Sequence, residues 1–270
     1  MNNNKATTFP TLLPLSFTVV LISTQAFAAT KQLPQTDFPE SVVSTANAAS
    51  KGIRTAWYDG ATTRYAHGVL GDAIEAGELY VKTASGKTVS LTLDAQHVFE
   101  DIAPRLADMD GDGQDEVITI RSHQNKGGQI AVYGITASQP NQLSLVASTP
   151  YIGQSYRWLA PVGIADFNND GAMDIAYIDR PHLAKILRVW SYTPTGLQQI
   201  AQKQGLTNHR IGDDFISGGV SLCGDQPAML TVDSSWSRII KTSFKDGRLL
   251  REDIGSYVSP TSFNKALNCK

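Results

Sequence analysis

Apolar residues along this chain come in short runs, rich in β-branched and aromatic side chains and separated by clusters of Gly, Asn, Asp, Ser and Pro. Four runs stand out as anchors: Leu79-Tyr80-Val81, Val117-Ile118-Thr119-Ile120, Ile175-Ala176-Tyr177-Ile178 and Leu230-Thr231-Val232. Each is followed by a second β-rich run, at Val89 to Leu93, Ile130 to Tyr133, Ile186 to Tyr192 and Ile239 to Phe244. Shorter runs come later, at Leu143 to Val146 and Leu249-Leu250. Ser85-Gly86 and Asp246-Gly247 are hairpin turn signals. No long window carries a 3.6-residue period, so helices should be few.

The anchors belong to a repeat. Ala103-Pro104 to Ile118 and Ala160-Pro161 to Ala176 match closely, with Asp108 and Asp166 lying 58 positions apart. Weaker copies are expected at Gly68 to Val81 and at Val220 to Val232. Four-stranded units repeating at such a period predict an all-β protein, a β-propeller of four blades; a fifth built from the chain ends is the alternative. The repeat is clearest over about 100–155 and 156–210, within a single domain at 51–270 preceded by an extension at 29–50.

The sharpest chemistry lies in the two matching loops. The first places Asp108, Asp110, Asp112 and Glu116 at positions 1, 3, 5 and 9; the second places Asp166, Asn168, Asp170 and Asp174 there. Gly113 and Gly171 occupy position 6, and the carbonyls of Gln114 and Ala172 at position 7 would add a further oxygen. Side-chain oxygens at alternate positions of a tight turn form an all-oxygen donor set, which suits Ca²⁺ over smaller or softer ions. Such loops also fold as hydrogen-bonded Asx turns without metal. That reading does not require the ninth-position acid, so two Ca²⁺ sites are expected, the first the tighter. The flanking residues are strand-like, and position 12 is Thr119 or Tyr177 instead of the Glu of an EF-hand. No metal is expected at the equivalent outer positions, Gly71-Asp72 to Glu75 and Cys223-Gly224-Asp225.

These loops, with their Ala-Pro lead-in, resemble the FG-GAP/VCBS repeats of integrin α-chain heads and secreted bacterial proteins. The resemblance implies propeller blades, calcium in the loop joining the first two strands of a blade, and an extracellular binding role. Integrin-type heads have seven blades, more than this chain has room for.

In a propeller, loops joining strands 2 and 3, and segments leading into each blade, emerge opposite the calcium loops. Those positions hold Arg121, Arg157, Trp158, Arg180, His182, His209, Arg210, Asp213 and Trp236, a polar and aromatic mouth suited to a protein, a glycan or a small anion. Tyr65, His67, Tyr156, Glu100, Asp101 and Asp214 fall on the same face. The runner-up is a polysaccharide lyase or hydrolase using paired carboxylates (Glu100 with Asp214) or His209 beside Asp213. No nucleophile triad or His-rich metal motif accompanies them, so no catalytic residue is named. A structural subunit of an envelope complex is the third reading.

Composition narrows the partners. A formal net charge of −2 offers no basic excess for a nucleic-acid backbone. Residues 1–28 read as a signal peptide: Lys5, an apolar stretch from Leu12 to Ser23, then Ala26-Phe27-Ala28 before the cleavage point. The mature chain is then expected in the periplasm or secreted, as a monomer without a transmembrane segment. In that oxidising space Cys223 and Cys269 are expected to form a disulfide; the alternative is one buried and one exposed thiol.

Overall fold

The computed structural model describes, apart from Met1, residues 34–269; the export signal expected over residues 1–28 lies outside the described residues. The described chain is all-β, with three antiparallel sheets, none of them closed, and one short helix. None of its helices is long and apolar enough to cross a membrane.

The strands fall into four successive antiparallel groups. The first is β1 (Val43–Ser44), β2 (Ile53–Thr62), β3 (Glu75–Thr83) and β4 (Thr88–Thr92). The second has a broken leading strand, β5 (His97–Phe99) with β6 (Arg105–Ala107), then β7 (Glu116–His123), β8 (Gly127–Gly134) and β9 (Ser144–Ser148). A bridge from Ala76 to Phe99 joins these two groups into one nine-stranded sheet. The third is β10 (Leu159–Ala165), β11 (Asp174–Asp179), β12 (Ile186–Thr193) and β13 (Gly196–Gln204). The fourth again has a split leading strand, β14 (Leu206–Thr207) with β15 (Gly219–Ser221), followed by β16 (Ala228–Asp233), β17 (Arg238–Lys245) and β18 (Arg248–Ser256).

Burial follows the strand order within each group. All six residues of β11 are buried, whereas β13 has no buried residue and β18 is largely exposed, as suits outer edges. The anchors Val81, Ile120, Ile178 and Val232 are fully buried. One apolar cluster, with Ile118, Ile120, Phe167, Ile178, Val189 and Met229, runs through the second, third and fourth groups. Another, with Ile53, Tyr58, Leu79, Phe99, Val117 and Tyr133, fills the space between the first and second. At the Asp246-Gly247 turn both residues have positive φ, 50° and 73°, which suits the tight connection of β17 to β18.

One expected copy is out of phase. Gly68 to Val81 does not repeat the turn between β6 and β7, because β3 runs the other way. Its first residues lie beside Phe99, which pairs with Arg121 at the far end of β7. Its last residue is followed by Ala84, bonded to Gly52, and neighbouring Lys51 bonds to Gly113 in the first acidic loop. The counterpart of β7 in the first group is therefore β2, with its leading strand β1 inside the stretch read as an extension. Gly68, Gly71 and Asp72 carry turn signals like those of the acidic loops but connect the second strand to the third. The Val220 to Val232 copy is in phase, as β15 pairs with β16.

Cys223 and Cys269 are disulfide-bonded, with Cα atoms 5.2 Å apart, closing a separation of 46 residues. The bond ties the C-terminal turns (Pro260–Phe263 and α1, Asn264–Leu267) to the end of β15, where Ser221 Oγ donates to the Ala266 carbonyl at 2.8 Å. Chain entropy for such a loop amounts to about 4 kcal/mol. Paired unfolding curves in oxidised and reduced buffer should show reduction lowering stability by up to that amount, and Cys223→Ser should match the reduced protein. Identical curves would mean the tail contributes nothing.

Candidate functional site

The acidic loops connect β6 to β7 and β10 to β11, at one end of these strands. Each begins with an aspartate that organises the turn. Asp108 accepts from the amides of Gly111 (2.8 Å) and Gly113 (2.9 Å); Asp166 accepts from those of Asp170 (3.1 Å) and Gly171 (2.9 Å). Each ends with an acid on the first residue of the next strand. Glu116 accepts from Met109 N at 2.9 Å, and Asp174 from Phe167 N at 3.0 Å. Position 5 behaves alike in both, Asp112 accepting from Gln114 N (2.7 Å) and Asp170 from Ala172 N (2.9 Å). Asn168 donates to Asp170 at 2.7 Å.

The donor set of the first loop fits a cation. Carboxylate oxygens of Asp108, Asp110 and Glu116 lie within 4.8 Å of one another. In the second loop, Asp174 Oδ1 is sealed from solvent without a hydrogen-bond partner among the described residues. Ser191 lowers the Asp174 pKa but does not reach hydrogen-bond geometry with that oxygen. Burial, with nearby carboxylates adding to it, pushes Glu116 up to about 7 and Asp174 up to about 6. Closely spaced, desolvated carboxylates with no basic partner are what a bound divalent ion would relieve.

Residues 108–177 match the FG-GAP-like repeat. That stretch runs from the first residue of one acidic loop, through the second loop, into β11. No curated protein matches the chain. The FG-GAP-like repeat points to a β-propeller-type binding module.

At the opposite end of β7 and β11, the structure gathers part of the expected mouth. A hollow of about 200 Å³ is lined by Tyr156, Arg157, Trp158, Arg180 and His182, together with His67 from the β2–β3 connection. Its rim is apolar and exposed: Tyr156 at 48 %, Leu183 at 64 % and Ile211 at 72 %. Tyr156 and Arg180 hold positive φ, 53° and 47°, a conformation that costs energy in side-chain-bearing residues. Tyr156 stacks on Tyr65 at 5.0 Å, and Tyr65 Oη accepts from the Tyr156 amide at 2.7 Å.

The hollow's lining carries Arg157 and Arg180 and no carboxylate; Asp179 and Arg188 stand beside Arg180, outside the lining. Asp179 takes two hydrogen bonds from Arg180 (2.8 and 3.0 Å) and one from Arg188 (3.0 Å), so two guanidinium groups share one carboxylate. Arg157 donates to the Tyr156 carbonyl at 2.7 Å. His67 is bonded to buried Glu100.

Other expected mouth residues serve the framework. Trp158 is buried and donates Nε1–H to the Glu100 carbonyl at 2.7 Å. His209 is buried behind the hollow, edge-on to Trp158 with centroids 4.8 Å apart. Its Nε2 donates to the backbone carbonyl of Asp213 at 2.9 Å, so its Nδ1 accepts from His182 Nε2 at 3.0 Å. Arg210 stacks on Trp236 at 4.3 Å, away from the hollow, and Arg121 bonds to Tyr133 Oη at 3.2 Å. The nominated carboxylate pair does not form a site: Glu100 has no exposed surface and accepts from Ser122 and His67, while Asp214 lines a different hollow. Leu183 and Ile211 escaped sequence reasoning because single apolar residues in polar loops carry no periodic signal.

Burial first, then the neighbouring His209 and His67, push His182 down to about 4, and burial also lowers His209. An unfolded histidine titrates near 6.5. Between about 6.5 and 4 the unfolded chain therefore takes up a proton that the folded one does not, and stability present above that range is lost as pH falls. His182→Gln keeps a donor toward His209 and should reduce the drop in urea midpoint between pH 7.5 and pH 5. An unchanged drop would place the acid sensitivity elsewhere.

Proposed function

We propose that this protein is an exported, calcium-stapled β-propeller of four blades that works as a recognition module. Its ligand is an anionic saccharide, held at the hollow opposite the acidic loops. The four antiparallel groups are read as blades, with β2, β7, β11 and β16 as their second strands. Circular closure is supported by contacts between the first group and the last: the Val69 carbonyl accepts from Gly212 N at 3.2 Å, and Gly71 lies against Gly212. Calcium would be held by Asp108, Asp110 and Glu116 in one loop, and by Asp166, Asn168 and Asp174 in the other. The Asp112 and Asp170 carboxylates, with the Gln114 and Ala172 carbonyls, stand within the same turns. When bound, the ion supplies fixed positive charge that stiffens the turn. A signal at 1–28 and the disulfide fit an oxidising, extracytoplasmic setting.

The observation that carries the ligand class is the pairing, in one hollow, of surplus guanidinium charge with an exposed aromatic and aliphatic rim. Sugar rings present C–H faces that pack on Tyr156, and an acidic substituent is attracted to Arg157 and Arg180. Binding is favoured over turnover because the carboxylate and histidine nominated for acid–base work, Glu100 and His209, are buried and engaged.

Two experiments test this. Calorimetric titration with Ca²⁺ should give two binding events, Asp108→Ala removing one and Asp166→Ala the other; a folded protein that takes up no Ca²⁺ would leave both loops as plain turns. On an array of uronic-acid and sulfated oligosaccharides, Arg157→Ala should weaken capture about tenfold, the worth of one charge-assisted contact. Equal capture of neutral sugars, or release of a cleaved product, would overturn the anion-recognition reading.

A further inference from the structure

A second hollow, of about 500 Å³, has the opposite character. Its lining includes five carboxylates, Glu40, Asp72, Glu75, Asp101 and Asp214, and no lysine, arginine or histidine. Asp101 is already matched, with Arg105 Nη1 at 2.8 Å and Nη2 at 3.2 Å. The other four have no basic partner among the described residues. Glu75 is the telling one. It opens β3, is only 4 % exposed and lines this hollow, and no hydrogen bond from a described residue offsets the burial of its carboxyl. An ionised carboxyl buried that deeply without a donor is costly, so the group stays protonated until a cationic partner reaches it.

The rest of the lining says what that would be. Phe38, Leu70, Phe99 and Ile102 form apolar walls, and Ile74 and Phe215 stand exposed among the lining residues. A bare metal ion needs several oxygens gathered around one point. No three carboxylates of this hollow bring oxygens within 4.8 Å of one another, as Asp108, Asp110 and Glu116 do. Several anions along an apolar wall, not gathered around one point, match an extended molecule with cationic ends and a hydrocarbon body, and the volume of about 500 Å³ is that of a ligand site.

We propose that this hollow binds an aliphatic polyamine, one ammonium group meeting Glu75 and the others meeting Asp72, Asp214 and Glu40. The site is separate from the saccharide hollow and does not depend on it. Glu75 faces Asp72, Glu100 and Asp101, the last already matched by Arg105. Burial, followed by these neighbours, pushes its carboxyl up to about 10, so it holds a proton at neutral pH. An incoming ammonium displaces that proton.

The test is calorimetric titration of the full, disulfide-bonded chain, saturated with Ca²⁺, using spermidine as the probe. Saturable one-to-one binding is expected. Pentane-1,5-diol should give none, and Mg²⁺ should not displace the amine mole for mole. The heat at pH 7.5 should differ between PIPES and Tris by the difference of their ionisation enthalpies for about one proton. Glu75→Gln keeps the side-chain shape and removes an unmatched carboxyl, so it should fold at least as well. It should weaken spermidine at least tenfold and abolish the buffer dependence. Asp214→Asn should weaken binding severalfold, while Glu252→Gln, an exposed acid on β18, should change nothing. No saturable heat, one-for-one displacement by Mg²⁺, or parental affinity in Glu75→Gln would overturn the site.

Discussion

Two adjacent buried carboxylates, Glu100 and Asp101, hold the molecule's strand groups in register. They sit in the gap between β5 and β6, where the ladder along β7 breaks off after Phe99 and resumes at Arg105. A break there would strand the Ile120 amide; Asp101 Oδ2 takes its place as acceptor at 3.0 Å. The same carboxylate receives Tyr58 Oη from β2 (3.2 Å) and Arg105 from β6. Glu100 accepts from Ser122 on β7 and is bonded to His67 in the β2–β3 connection, and its carbonyl takes Trp158 Nε1 from the segment before β10. Trp158 in turn packs against His209, just after the first piece of the fourth group's broken strand. All four groups thus meet through one dipeptide. Leaving a buried carboxylate without its donors costs several kcal/mol, so the arrangement is specific as well as compact.

That dipeptide also separates two hollows of opposite charge. His67, bonded to Glu100, lines the arginine-rich hollow, while Asp101 lines the acidic one. Both draw on the β2–β3 connection and on the stretch between β14 and β15: His67 and Ile211 on one side, Asp72 and Asp214 on the other. Burial raises the pKa of Glu100, and the bonds from His67 and Ser122 work against that rise. Glu75 has no such relief, and this is why the two neighbouring buried glutamates differ in role: one is a framework group, the other a group awaiting a partner.

The acidic loops were readable from sequence because their chemistry is local. Asp108 and Asp166 each bind amides no more than five residues away, so spacing alone reports the turn. The disulfide was readable because the chain has only two cysteines to pair. The phase of the first group was not, because Gly68, Gly71 and Asp72 imitate an acidic loop in composition while joining different strands. β13 was equally hidden: Gly196–Gln204 is mostly polar because it forms an outer edge, where alternation is not enforced. The mouth was legible as a set of loops but not as a site. Which of Arg121, Arg157, Arg180 and Arg210 converge depends on how the groups pack together. Glu75 carried no signal at all, since an acid opening a strand looks like any surface residue until its burial is known.

β11 joins the two ends of the molecule in six buried residues. Asp174 at its start closes the second acidic loop; Asp179 at its end holds Arg180 and Arg188. Arg180 keeps a left-handed backbone, and so does Trp236 at the corresponding connection of the fourth group, with φ of 59°. Such conformations persist only where the surroundings over-determine them. The acidic turn fixes where β11 begins, pairing with β10 and β12 fixes its path, and the Asp179 carboxylate then leaves the Arg180 guanidinium little freedom. A strand built this way carries rigidity from the loop end to the hollow, so an ion bound at Asp174 would sharpen the geometry at Arg180 without touching it.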